Sequence, residues 1–130
     1  MNNNSLSYAD FETLPLPFIK MVDVVKVVNK YFAPNASKKF KRGVDLMFST
    51  MYVYLCRRHL SDRYTPKNVI DSLGKSPGNY YHYLKKHNEN LTKEFYSNTL
   101  VECEMILIKL NDKRMKERNN KLNELQLSND

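Results

Sequence analysis

Little punctuates this chain. Glycine and proline, the residues that make tight turns, number three and five among 130, too few for the many turns that a sandwich or barrel of short strands needs. No apolar run approaches the length that crosses a bilayer. Residues 1–7, rich in asparagine and serine, lack the basic start and apolar core of a secretory signal, so a cytoplasmic setting, in a bacterial or phage-infected cell, is expected. There are only two cysteines. Cys56 and Cys103 each lie in an apolar periodic stretch, where a thiol behaves as a small buried hydrophobe. Cys56 and His59 share a helix face, but no second pair completes a zinc site. With no nucleophile and base and no carboxylate pair at workable spacing, neither an enzyme nor a cofactor is expected.

What is abundant is apolar bulk: nine tyrosines, six phenylalanines and six methionines. The length suits one domain with a core of its own. Between residues 17 and 32, Phe18, Ile19, Val22, Val25, Val28 and Phe32 alternate with a polar stripe at helical spacing, predicting a first helix. The segment Ala33-Pro34-Asn35-Ala36-Ser37 ends it. Val44, Met47, Phe48, Met51, Tyr54 and Leu55 recur at three and four, predicting a strongly amphipathic helix over 44–60 that ends in Arg57, Arg58 and His59.

Thr65-Pro66 and Ser76-Pro77 each read as a hydroxyl N-cap followed by proline in the first helical turn, and Gly74 stops the short helix between them. A last helix is expected from about Thr92, with Phe95, Thr99, Cys103, Ile106 and Leu110 on one face, backed by Leu100 and Leu107. The fold expected is therefore all-α: a small bundle of about five helices containing a helix-turn-helix, with a long C-terminal helix. Residues 1–12 read as a flexible tail, 13–110 as the folded domain, and 111–130 as a polar helical extension or disordered tail.

The net charge of +7 is uneven. Residues 1–37 balance, and 88–130 nearly do. Residues 38–87 hold eleven lysines and arginines against Asp45, Asp62 and Asp71. A surplus gathered this way points to a polyanion, because neutralising phosphates releases counterions. Four of the five residues 38–42 are basic, so Lys38, Lys39, Lys41 and Arg42 form a basic loop suited to a phosphate backbone, with Arg42 placed for a narrow minor groove.

The run Val53-Tyr54-Leu55-Cys56-Arg57, followed by Leu73-Gly74-Lys75 and then Tyr81-His82-Tyr83-Leu84-Lys85-Lys86-His87, resembles the C-terminal duplex-binding domain of the bacterial replication initiator DnaA. The likeness covers about residues 18–92. It implies a helix-turn-helix whose last helix enters the major groove while the basic loop reaches the minor groove. Ser76-Pro77-Gly78-Asn79 stands where that family carries Asp-His-Thr-Thr, and Ser49 where it has an arginine, so the family's target sequence is not inherited. No Gly-x-x-x-x-Gly-Lys-Ser/Thr loop is present, so the family's ATPase is absent.

In helix-turn-helix geometry the first turn of the second helix faces base edges. Ser76 and Asn79 are then the candidate readers, Lys75 and Lys86 the phosphate contacts, and His82 the histidine facing DNA. Tyr80, Tyr81 and Tyr83 either stack on unpaired bases or pack in the core, with packing favoured for at least two. The function expected is duplex DNA binding, as a regulator or replication accessory of a phage or mobile element. The alternative is a small structural or adaptor protein, such as an assembly or virion component, acting through its C-terminal helix. Leu100, Leu107 and Leu110 offer that helix a homodimer seam.

Overall fold

The computed structural model describes residues 12–32, 41–76 and 78–128. Five helices follow in order: α1 (Met21–Phe32), α2 (Lys41–Leu60), α3 (Pro66–Ser72), α4 (Asn79–Asn90) and α5 (Glu94–Ser128). The described residues form no strand, and no helix among them is long and apolar enough to cross a membrane. The all-α bundle with a long C-terminal helix is as expected.

α2 is the central strut. α1 and α4 pack along it, with α3 and α5 in further contact. The expected single apolar face therefore gives way to burial on most sides: Met51 and Leu55 are sealed, but so are Tyr52, Val53 and Cys56, which point elsewhere around the helix. A helix surrounded by neighbours needs apolar cover all round. Burial also pushes the Cys56 thiol up to about 12, and that of Cys103 likewise. Both cysteines are free and buried, as expected.

α1 starts four residues later than its periodicity suggests. Asp23 accepts the Lys20 N–H at 2.9 Å, holding the entry to the helix. The backbone just before is claimed by side chains from elsewhere. Arg63 donates to the carbonyls of Leu16, Pro17 and Ile19 at 2.6, 3.2 and 2.7 Å. Asn111 accepts the Phe18 N–H at 2.8 Å, and Arg114 donates to the Phe18 carbonyl at 2.8 Å. With their polar groups engaged this way, residues 16–19 stay out of the helix.

α5 buries Tyr96, Thr99, Leu100, Cys103, Leu107 and Asn111. The face is rotated from the expected one: Phe95 is 51% exposed and meets Phe32 edge-on. Leu100 and Leu107 lie in the core, so they form no dimer seam. After Leu110 the chain takes the helical extension, one of the two readings of this segment. The helix runs on to Ser128, and Arg114 grips Asp23 through two guanidinium nitrogens at 2.7 and 3.1 Å. Hydrogen bonding from Arg114, working against partial burial, holds the Asp23 carboxyl below the usual range.

One buried histidine keys α4 into this frame. His87 lies flat on Tyr54 of α2, ring centroids 3.6 Å apart, and its Nδ1 shares a hydrogen bond with the Tyr96 hydroxyl of α5 at 2.6 Å. Burial lowers its pKa from 6.5 to about 4. The unfolded chain thus takes up a proton first as pH falls, so the stability due to neutral His87 is complete above about 6.5 and fades toward 4, a loss of about 3 kcal/mol. Denaturant unfolding at pH 7 and at pH 4.5 will show most of this loss, and His87→Gln, less stable at pH 7, will show a shallower decline over the same interval.

Candidate nucleic-acid interface

The helix-turn-helix unit begins with a well-formed cap. Thr65 Oγ1 accepts the Asn68 N–H at 3.1 Å while Asn68 Oδ1 accepts the Thr65 N–H at 2.9 Å, a reciprocal box with Pro66 in the first turn. α3 ends as the sequence suggests. Gly74 takes a φ of 68°, its N–H bonds the Asp71 carbonyl at 3.0 Å, and the Lys75 N–H reaches back to Ile70 at 3.3 Å. This paired closure is the Schellman motif. Ser72 is held as well: its hydroxyl donates to the Val69 carbonyl at 2.6 Å and accepts from the Tyr52 hydroxyl at 2.7 Å, fixing α3 on α2.

The start of α4 differs from expectation. Ser76 is not its cap; Gly78 stands there and the helix opens at Asn79. The Asn79 N–H bonds the Ser76 carbonyl at 3.0 Å, and Asn79 Nδ2 donates to the Ser76 hydroxyl at 3.1 Å. A separate turn therefore precedes the helix, and the serine hydroxyl is occupied by an amide side chain rather than a helix N–H. Pro77 lies outside the described residues. The connection between α3 and α4 spans 73–78, longer than the three or four residues usual in a helix-turn-helix. Asn79 keeps Oδ1 and a second amide hydrogen for a partner.

α4 buries Tyr80, Tyr83, Leu84, His87 and Asn90, so two of the three tyrosines pack in the core as favoured. Tyr81, His82 and Lys85 are exposed, with Lys75 and Ser76 exposed in the preceding turn. Lys86 lies 3.6 Å from Glu89, an ion pair at the surface and hence a weak one. The turn and α4 thus carry Lys75, Ser76, Asn79, His82 and Lys86 together. Lys85 and Tyr81 join them, and their position one helical turn apart on the open face was legible from spacing.

The basic loop fares otherwise. Lys38 and Lys39 lie outside the described residues, and Lys41 and Arg42 open the first turn of α2 rather than extending a loop. Tyr80 and Arg57 line one groove with Ser61, Tyr64, Thr65, Pro66 and Tyr81, which places the start of α4 beside the last turn of α2. Lys41 is roughly 24 Å from Arg57 along the α2 axis, at 1.5 Å per residue. The two basic sets therefore do not converge on one spot.

Part of the surplus charge is also spent internally. Arg63 holds backbone carbonyls, as above. Arg58 Nε stands 2.8 Å from Glu104 as an ion pair, its N–H not aligned for a hydrogen bond. His59 links the Leu14 carbonyl at 2.7 Å to the same Glu104 carboxylate at 2.8 Å. Burial would raise the Glu104 pKa, but the His59 hydrogen bond and the adjacent Arg58 guanidinium outweigh it and lower it. Lys67 pairs with Asp71 at 2.9 Å. Arg58 and Arg63 are framework residues, which a count of charges along the chain does not reveal.

Among the described residues no group of three or more His, Cys, Asp or Glu is placed to hold a metal ion. The geometry of the turn itself gives a test. A Cβ at Gly74 would meet nothing within 4 Å, so the cost of a side chain there is purely conformational. Gly74→Ala is expected to lower stability by about 1 kcal/mol, and Gly74→Asn by less, read from thermal or denaturant unfolding. Comparison with family models, with curated proteins and with solved structures returns no match.

Proposed function

We propose that this chain binds double-stranded DNA, presenting α4 to the major groove and the basic residues 38–42 to the phosphate backbone. The observation that carries the reading is the character of the α4 surface. From residue 72 to 88 the sequence has no aspartate or glutamate, while the buried side of α4 is fixed on α2 and α5 through Tyr80, Tyr83, Leu84 and His87. What faces solvent is hydrogen-bonding and mainly cationic: Lys75, Ser76, Tyr81, His82 and Lys85, with Asn79 half-buried and the carboxylate of Glu89 at the far end of α4.

Such a face suits a polyanion, and a rigidly held helix suits a groove. The DnaA-like order of elements supports the same reading. Asn79 is the residue with a bidentate donor and acceptor for adenine. Lys75, Lys85 and Lys86 serve phosphates. The separation between the two basic sets lets one duplex lie along α2 and touch both, since roughly 24 Å corresponds to about seven base pairs.

Fluorescence anisotropy on an A·T-rich duplex across a salt series tests this. The wild type is expected to bind with a steep salt dependence. Lys75→Ala, Lys85→Ala and Lys86→Ala combined should weaken binding and reduce the log–log slope by about 3, and alanine at Lys38, Lys39, Lys41 and Arg42 should do so by about 4. Asn79→Ala should cost about 1–3 kcal/mol on a preferred site and little on random duplex. Absence of binding at low salt, with helical circular dichroism intact, rejects the proposal and favours a protein-binding role for α5.

A further inference from the structure

Beyond Arg114, α5 leaves the bundle: Arg118 still lies over the Phe18 ring, 5.8 Å from its centroid, but side chains 115–126 are all exposed. A lone helical arm of this length is marginal in water unless something covers it. On the body of the protein the same helix shows bare apolar side chains, Val101 at 55% and Met105 at 51% exposure, with Ile108 half-buried beside them. Met115 at 39% and Leu122 at 49% continue the series along the arm. Steps of four and three join these positions through Asp112 and Asn119 to Gln126, so one stripe keeps the 3.5-residue period of a coiled-coil seam. It lies beside, not on, the face made by Tyr96, Cys103 and Leu107.

We propose that this stripe is covered by the same stripe of a second copy of the chain, running antiparallel. Reversed pairing sets the arm of each copy on the body of the other: Leu122 against Met105, Met115 against Asp112, Asn119 against Ile108, Gln126 against Val101. The orientation follows from charge. A parallel, in-register pair would bring Asp112 against its own copy, two like charges in a partly dehydrated layer. The antiparallel pair instead places Asp112 between Lys109 of its own helix and Lys116 of the second copy. The inference is independent of DNA binding and is measured without DNA.

Sedimentation equilibrium of the full chain is expected to show a dimer at micromolar concentration. Leu122→Glu and Met105→Glu, both at exposed positions and so compatible with folding, should each raise the dimer dissociation constant by about 100-fold or more, since each change is felt twice per dimer. Their far-ultraviolet circular dichroism should remain that of a strongly helical protein. For orientation, Met105→Cys protein is mixed with Leu122→Cys protein and oxidised. A mixed disulfide formed in preference to either self-linked product supports the antiparallel seam. A monomer at all concentrations, a dimer indifferent to both glutamates, or preferential self-linking of Leu122→Cys overturns it.

Discussion

Burial of α2 on nearly all sides is the constraint that organises this molecule. A helix at the centre of a bundle of this size touches every other element, so any polar group it carries inward must find a partner or be costly. The Tyr52 hydroxyl is met by Ser72, the His59 ring by Leu14 and Glu104, and Tyr54 by the flat face of His87. Each match fixes a different neighbour: α3, the N-terminal segment with α5, and α4. The placement of the proposed reading helix is thus set from the centre outward.

The segment before α1 is held by the opposite strategy. It contributes few apolar residues, Leu16 and Ile19 among them, and is bound mainly through its main chain. Arg63 and Arg114 supply planar forks that reach several carbonyls and a carboxylate at once, which a lysine ammonium does not reproduce. A basic composition therefore has two meanings within one chain. Guanidinium groups near α1 hold the fold together, whereas Lys75 and Lys85 stand in solvent.

Signals that act over a few residues were legible in the sequence. Thr65-Pro66 and Gly74 mark the ends of α3 because capping is settled within one turn. Ser76-Pro77 presents the same local pattern, yet Asn79 competes for the serine hydroxyl and carbonyl, and the helix starts later. Facing was less legible. Phe95 and Tyr96 are adjacent and both aromatic, and only the position of the bundle decides that Tyr96 is fully buried while Phe95 is half in water. Least legible was the use of charge, since the contacts of Arg58, Arg63 and Arg114 join residues more than forty positions apart. The exposed residues of α4 were legible because they are consecutive, whereas the charge surplus counted along the chain took in arginines that the fold uses internally.

The continuity of α5 has a mechanical consequence. Thirty-five residues in one uninterrupted helix make a rod roughly 52 Å long, clamped at its root by Tyr96 and Cys103 and again near its middle by Arg114. A rod clamped at two points cannot pivot at its exit from the bundle. Once the arm is covered along its length, whatever meets its far end is held at a set distance and angle from α4, so the helix acts as a ruler rather than a tether.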